Sequence, residues 1–207
     1  MNDIIAGALG YAKDLFAGDV GGHDYYHTLR VYNMAMRLAK AEGADPTIVA
    51  LAAILHDADD AKLFCAEGLP HARAFLGEHP GAGAVLEAIS TVSFKGTGTA
   101  KPATIEGMVV QDADRLDAIG AIGIARAFAY GGSHARSLHD PDVPPRGEMT
   151  EAEYRTSTST TVNHFYEKLF KLKGHMNTRA GREIAEARDR FMRAYLDEFL
   201  AEWDGKA

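Results

Sequence analysis

Apolar residues recur at intervals of three or four along most of the chain, and this spacing predicts amphipathic helices. The first helix is predicted over residues 2–17, where glycines then interrupt the pattern. Further helices are predicted from Asp24 to Ala41, from Asp45 to the His56–Asp57 pair, over about 71–78, 82–92, 102–118 and 120–130, from Thr150 to about Lys171, and from Thr178 to Trp203. Residues 59–70, 93–99 and 131–149 are predicted to be irregular, and the last of these is long enough to be functional or mobile. Sustained period-two alternation and internal repeats are both missing from the sequence, so the predicted fold is all-α.

Residues that favour helix ends support several of these boundaries. Asp24 can cap the second helix, and Gly43 follows its predicted end. Asp45 precedes a proline at the first helical position, which is a common way to begin a helix. Thr150-Glu-Ala-Glu153 matches a capping box and predicts the start of the helix that reaches Lys171.

The helix that begins near Asp45 ends in residues whose side chains could bind a metal ion. Residues 51–55 are apolar throughout, and His56 and Asp57 follow directly, with Asp59, Asp60 and Lys62 behind them. An imidazole and a carboxylate buried at one point both need a partner, and a divalent cation satisfies both. We interpret this helix end as the centre of a site, and the rest of the chain as scaffold, further ligands and substrate pocket.

Composition narrows the classes of function. With 207 residues and 46% apolar content the chain can bury one sizeable core, so a single domain over residues 1–207 is expected. The net charge of −7 and the lack of a long Lys/Arg run argue against binding to extended nucleic acid, but not against a small phosphorylated substrate. Cys65 is the one cysteine, which excludes an intramolecular disulfide and a Cys-rich zinc cluster. With neither a signal peptide nor an apolar run of membrane-spanning length, we expect a cytoplasmic protein without a membrane partner.

Three places, each on a different predicted helix, supply candidate metal ligands: His23 to His27, His56–Asp57, and Asp112 to Asp117. Two imidazoles and two carboxylates form a mixed nitrogen and oxygen set that suits Mn, Fe, Co, Ni or Zn better than Ca or a bare Mg site. Such a set leaves coordination positions open, as catalytic sites do. A histidine at a helix end also fits a capping or hydrogen-bonded histidine, so the residue types alone leave both interpretations open.

The order of these residues resembles the pattern that defines the HD-domain superfamily of metal-dependent phosphohydrolases: His27, then His56–Asp57, then Asp114. Further motifs look like a small bacterial HD subfamily and extend over nearly the whole chain: His-Asp-x-x-His-x-x-Arg-Val from His23, Leu-His-Asp-x-x-Asp-x-Lys from Leu55, Ser-Phe-Lys-Gly from Ser93, Asp-Ala-Asp-Arg-Leu-Asp-Ala-Ile-Gly from Asp112, Asn-His-Phe-Tyr-Glu-Lys-Leu from Asn163, and Met-Asn-Thr from Met176. The resemblance implies an all-helical HD domain whose metal core spans about 20–120 and is completed by helices at 150–203. It also implies one divalent ion, manganese foremost with Mg, Co, Ni, Fe or Zn as alternatives, and hydrolysis of phosphate esters or anhydrides. For this subfamily it suggests nucleotide pyrophosphohydrolase activity.

The resemblance also implies residue roles, position by position. The expected metal ligands are His27, His56, Asp57 and Asp114, with Asp114 preferred to Asp112 or Asp117. Asp60 lies three residues beyond Asp57, where related nucleotidases place a glutamate that positions the attacking water, so Asp60 and Asp57 are the expected catalytic carboxylates. The alternative for Asp60 is a surface aspartate that caps the next turn.

Other side chains are expected around the ion and its substrate. Lys62, Lys95 and Arg30 are the candidates for binding phosphoryl oxygens. Asp117, one turn beyond Asp114, is expected to contact the metal ligands without binding the ion itself. Asp24 either orients the His27 imidazole or caps the helix. His71 and His79 are expected to be exposed, whereas His164 and Lys168 share a helix face and fit either a pocket or a solvated surface.

Two other functions stay open. Within the hydrolases the alternative is a nucleoside monophosphate phosphatase, and outside them it is a non-catalytic HD module that binds a nucleotide or metal as a regulator. The single His–Asp pair and the lack of an adjoining synthetase or sensor sequence argue against alarmone, two-metal and di-iron branches. An apolar last helix is compatible with a homodimer.

Overall fold

The computed structural model describes residues 3–18, 24–60, 68–92, 101–147 and 159–207. Every regular element within these ranges is helical, so the all-α prediction is confirmed. By contacts between Cα atoms the chain divides into two compact units, residues 1–114 and 115–207. The expected single domain over residues 1–207 stays a prediction. Within the described ranges we find no helix whose length and apolarity would let it cross a membrane.

The unit of residues 1–114 is built around one buried helix. Its elements are α1 (Asp3–Leu15), α2 (Tyr25–Glu42), α3 (Pro46–Leu55), α4 (Pro70–Leu76), α5 (Ala82–Ser90) and α6 (Ile105–Asp117), the last of which continues beyond residue 114. Residues 49–55 of α3 are completely buried, and α1, α2 and α5 pack against this helix. A helix that is apolar on all sides is stable only when it is covered on all sides, which explains why α3 is central.

The predicted ends of α2 and α3 are confirmed. The Asp24 carboxylate caps α2 by accepting a hydrogen bond from the His27 backbone N–H at 2.7 Å. Gly43 ends α2 with φ +73°, a left-handed conformation that glycine adopts without a steric penalty. The Asp45 carboxylate accepts hydrogen bonds from two N–H groups of the first turn of α3, at 2.8 and 3.1 Å. Hydrogen bonds from these carboxylates therefore fix where both helices begin, and Gly43 fixes where α2 ends.

The unit of residues 115–207 packs a long last helix against the helix that follows α6. Its elements are α7 (Gly120–Ser133), α8 (Thr161–His164), a π-helical turn (Phe165–Leu169), α9 (Phe170–Leu172), a 3₁₀ turn (Lys173–His175) and α10 (Arg179–Trp203). The rings of Phe165, Tyr195 and Phe199 lie 5.9 to 6.1 Å from that of Phe128 on α7. This aromatic cluster packs between α7 and α10, with Phe165 completely buried and the other three rings half-buried.

The predicted helix from Thr150 to Lys171 is wrong at residues 159–160, which the structure describes as non-helical. Residues 150–153, the capping-box match, lie outside the described residues, but the predicted helix to Lys171 is interrupted at Thr160. Thr160 is extended (φ −80°, ψ 163°), and its hydroxyl accepts a hydrogen bond from the Asn163 backbone N–H at 3.1 Å, so it is itself an N-cap. The Thr161 N–H donates to the Ser137 carbonyl at 3.0 Å, which replaces the bond that a continuous helix would make four residues back.

Candidate metal centre

Four side chains from three helices meet at one point within the unit of residues 1–114. His27 lies in the first turn of α2, His56 and Asp57 lie at the end of α3, and Asp114 lies on α6. The His27 Nε2 atom is 3.3 Å from His56 Nε2, 3.4 Å from Asp57 Oδ2 and 3.4 Å from Asp114 Oδ1. The His56 Nε2 atom is 3.3 Å from Asp57 Oδ2 and 3.9 Å from Asp114 Oδ1. The sequence-predicted ligands are therefore brought together.

Local backbone geometry aims the two imidazoles. Asp24 fixes the start of α2, and His27 follows three residues later on that helix. The Nδ1 atom of His56 lies 2.9 Å from the Ala53 carbonyl one turn earlier on α3. A carbonyl only accepts, so Nδ1 carries the proton in the neutral ring and the Nε2 lone pair is directed at the other three side chains.

Burial makes this cluster dependent on a positive charge. His27, His56 and Asp57 are 1%, 4% and 6% exposed, and the Asp114 side chain is 28% exposed. The His56 nitrogen and both carboxylates are hydrogen-bond acceptors at the point where they meet, and buried acceptors that face each other need a proton or a cation between them. The exposed side of Asp114 leaves this point open to solvent.

The donor atoms fit a single divalent ion. With metal–ligand bonds of about 2.1 Å, donors 3.3 to 3.4 Å apart subtend angles of about 105° at a shared ion, near the tetrahedral value. The 3.9 Å pair corresponds to about 135°, which a site with more than four ligands accommodates. Two carboxylates also balance the charge of a divalent cation. His27, His56 and Asp57 thus form a group that could hold a metal ion, and Asp114 adds a fourth donor.

The contacts within the cluster also shift the pKa values of His56 and Asp114. Burial lowers the pKa of His56, but the charge and hydrogen bond of Asp57 and the charge of Asp114 outweigh it, so this pKa lies above its ordinary value. Burial raises the pKa of Asp114, but the hydrogen bond and charges of the two imidazoles outweigh it, so this pKa lies below its ordinary value. The carboxylates therefore hold a proton on His56, and a metal ion competes with that proton.

The other sequence-predicted site residues lie in varied surroundings. Asp24 contacts the His27 backbone N–H, which is the capping interpretation. Asp60 is half-buried, and its backbone N–H donates to the Asp57 carbonyl at 3.1 Å, one turn past that ligand. Arg30 is half-buried on α2, one turn after His27. Lys62 and Lys95 lie outside the described residues.

Asp117 belongs to the unit of residues 115–207. Its carboxylate is buried and accepts a hydrogen bond from the Arg126 guanidinium at 2.6 Å. Its expected support of the metal ligands stays a prediction.

Sequence reasoning missed the function of Asp59. Its buried carboxylate accepts hydrogen bonds from the backbone N–H groups of His71 and Ala72, both at 2.9 Å, and lies 2.8 Å from His71 Nδ1. Asp59 thereby caps α4, whose first residue, Pro70, lies eleven positions later. His71 is half-buried rather than exposed, as is His79. A signal was available, because Pro70 begins a helix with Leu69, which has no capping group, at the position before it.

This chain is similar to known proteins over nearly its whole length, and a family model matches its central part. Residues 24–119 match the family model of the HD domain. The uncharacterized protein YpgQ of Bacillus subtilis (strain 168) is 34% identical over 195 residues, which cover 90% of this chain and 87% of YpgQ. The crystal structure of a Lactobacillus plantarum protein shares 41% identity with a TM-score of 0.86, covering 99% and 98% of the two chains. An HD-superfamily hydrolase from Bacillus thuringiensis shares 40% with a TM-score of 0.79, covering 98% and 97%. The structure of Bacillus subtilis YpgQ in complex with ADP shares 32% with a TM-score of 0.75, covering 98% and 100%.

Proposed function

This chain belongs to the HD superfamily, and from that premise we propose that it is a metal-dependent phosphohydrolase that cleaves nucleoside triphosphates into the monophosphate and pyrophosphate. The observation that supports this most is the convergence of His27, His56, Asp57 and Asp114 on one open point with the spacing of metal ligands. The ADP complex of the related YpgQ supports a nucleotide as the class of substrate.

In this proposal the four converging side chains hold one divalent ion, manganese foremost. Such an ion supplies positive charge to phosphoryl oxygens and lowers the pKa of a bound water. The deeply buried His27, His56 and Asp57 exclude solvent from one side, and the half-exposed Asp114 marks the side that substrate approaches. Neutral imidazoles and ionised carboxylates are the states that bind metal, so the ligands function after losing the proton that the free site retains.

Further residues act on the water and on the phosphates. Asp60, one turn beyond Asp57, orients the attacking water and accepts its proton. Arg30, one turn after His27, binds phosphoryl oxygens, and Lys62 and Lys95, which lie outside the described residues, are proposed for the same task. Their positive charge also stabilises the departing pyrophosphate, which is itself an anion.

The test is product release by the purified chain from a panel of nucleoside mono-, di- and triphosphates with Mn²⁺, with and without a chelator. The proposal expects metal-dependent release of pyrophosphate from triphosphates, measured as orthophosphate that appears only after inorganic pyrophosphatase is added. The Asp57→Asn variant should lose at least about 1000-fold in kcat/KM, about 4 kcal/mol of transition-state stabilisation. The matched control is Asp14→Asn, since Asp14 is exposed on α1.

Other outcomes separate the alternatives. Direct release of orthophosphate from monophosphates would assign the chain to the phosphatases. Saturable nucleotide binding without release of either product, under every metal tested, would assign it to the regulatory modules. Activity that survives both the chelator and the Asp57→Asn substitution would contradict the metal site itself.

A further inference from the structure

Tyr26 lies beside the candidate metal centre with its ring in solvent. Among the described residues of the unit 1–114 it is the one large hydrophobic side chain that is exposed. Tyr26 is 69% exposed, although it directly precedes His27, a proposed metal ligand that is 1% exposed. Both residues belong to the first turn of α2, so their Cα atoms are about 3.8 Å apart. A large aromatic surface is therefore available to a ligand directly next to the metal centre.

The neighbouring residues limit the positions of this ring. The centres of the Tyr25 and Tyr26 rings lie 6.0 Å apart, with an angle of 59° between the ring planes, and Tyr25 is half-buried. The backbone of the same turn is fixed by Asp24, which accepts a hydrogen bond from the His27 N–H at 2.7 Å. A ring that is already restricted loses less side-chain freedom when a planar group stacks on it, and this favours binding.

The register of α2 places Arg30 between His27 and Tyr26. Successive residues of an α-helix are about 100° apart around its axis, so Tyr26 lies about 100° from His27, and Arg30 lies about 60° from His27 on the same side. Helical side chains lean towards the N-terminus, so Arg30 extends back over the turn that contains the other two. At the surface of a helix about 12 Å across, groups about 100° apart are separated by about 9 Å.

The order around α2 is therefore a metal-binding imidazole, then a guanidinium, then an aromatic ring. A nucleotide presents its parts in a matching order, since its phosphates, ribose and base follow one another. The separation of His27 and Tyr26 is one that a nucleoside di- or triphosphate can span.

We propose that the base of a nucleotide stacks on Tyr26 while its phosphates bind at the metal centre and Arg30. Every base has a π-face, so stacking on an aromatic ring tolerates all of them. Tyr26 thus selects nucleotides over other phosphate esters and does not select one base over another. The inference rests on the proposed function for the identity of the ligand.

The experiment measures equilibrium binding by calorimetry in the presence of Mn²⁺. One probe is the α,β-methylene analogue of ADP, which cannot be cleaved between its phosphorus atoms, and the other is its abasic counterpart, which keeps the ribose and both phosphorus groups. Tyr26→Ala should weaken binding of the ADP analogue about fivefold or more and leave the Kd of the abasic probe within about twofold. Tyr26→Phe keeps the ring and should bind both probes within about twofold of the wild type.

Asn33→Ala is the matched control, because Asn33 is exposed on the same side of α2 two turns further along. It should change neither Kd by more than about twofold. Since Tyr26 and Asn33 are both exposed, each variant should keep the urea midpoint of the wild type.

The base site is overturned if the wild type binds the ADP analogue no more tightly than the abasic probe. It is also overturned if Tyr26→Ala weakens both probes equally or neither of them, which would leave Tyr26 as a solvated surface residue. Neither result contradicts the proposed hydrolase, which product release tests separately. A protein that hydrolyses no nucleotide with Mn²⁺, yet loses affinity for the ADP analogue alone in Tyr26→Ala, would contradict the hydrolase and support this site. In an active enzyme Tyr26→Ala should raise KM for the triphosphate more than it lowers kcat.

Discussion

Substitution of Asp59 by alanine tests whether one carboxylate joins the metal-ligand turn to α4. The Asp59 side chain is buried two residues beyond Asp57, and its hydrogen bonds run to the backbone and the imidazole at the start of α4. Alanine leaves these donors without their acceptor in a place where water has little access. Both the stability of the unit and the placement of the turn should therefore suffer.

The magnitude follows from the bonds that are lost. Removal of a helix cap costs about 1–2 kcal/mol, and a buried donor that loses a charged acceptor adds about 1.5–3 kcal/mol. Asp59→Ala is therefore expected to lower the free energy of unfolding by about 3 kcal/mol. His71→Ala removes the bond between Asp59 and the partly exposed imidazole but keeps the backbone N–H groups that Asp59 caps, and it should cost about 1 kcal/mol.

Urea unfolding followed by circular dichroism measures both values, with the slope of the free energy against urea as a test that each variant unfolds like the wild type. Asp14→Ala is the control, an exposed carboxylate on α1 whose removal should change the free energy by less than about 0.5 kcal/mol. A loss for Asp59→Ala no larger than for Asp14→Ala would refute the reasoning. If the link to Asp57 is mechanical, Mn²⁺ titration should also show weaker binding in Asp59→Ala than in His71→Ala.

Three further predictions, on metal binding, on His164 and on two glycines, need only stability measurements. Mn²⁺ at 100 times its Kd should raise the free energy of unfolding by about 2.7 kcal/mol, about 5–10 °C in Tm, and an equal shift in Asp57→Asn would contradict the site. Because the pKa of His164 falls from its ordinary 6.5 to about 3 on folding, the unfolded chain binds the proton first. Stability should fall by about 2 kcal/mol from about pH 7.5 to about pH 5, and the same fall in His164→Asn would contradict this. A Cβ at Gly123 would lie 2.3 Å from the Ala118 carbonyl oxygen, whereas one at Gly132 meets nothing within 4 Å. Gly123→Ala should cost about 3 kcal/mol in thermal unfolding and Gly132→Ala should gain about 0.5 kcal/mol, and equal effects would contradict the structure.

Much of the unit of residues 1–114, which contains the candidate metal centre, was predictable because its signals are local. Asp24 and Asp45 act within one turn of their own positions, so short-range patterns locate the starts of α2 and α3. The apolar run of α3 has only one stable environment, a covered one, and the run ends where His56 and Asp57 emerge. The family resemblance then selected Asp114 from the carboxylates of α6, and the structure brings that side chain to the imidazoles.

What the sequence did not reveal depends on contacts between distant residues. Thr160 is extended, and the N–H of the next residue bonds to the Ser137 carbonyl. The Ser/Thr run at residues 156–161 favours a helix cap in this region but does not identify which residue forms it. The π-helical turn at Phe165–Leu169 has the composition of an ordinary helix. The Glu167 pair with Arg146 crosses twenty-one residues. Patterns with a period of three or four residues contain no information about such contacts, so prediction from pattern alone stops there.

The segment after His56 shows how one short turn separates two similar side chains, Asp57 and Asp59. Ala58 N–H donates to the Leu55 carbonyl at 3.0 Å and Asp60 N–H to the Asp57 carbonyl at 3.1 Å, so the backbone turns tightly. In such a turn neighbouring side chains point in different directions: Asp57 towards the imidazoles and Asp59 towards α4. Since both carboxylates lie on the same turn, we expect a displacement of Asp59 to shift Asp57 as well. Metal affinity and the anchoring of α4 should therefore vary together in variants of this turn, although Asp59 itself binds no metal in our proposal.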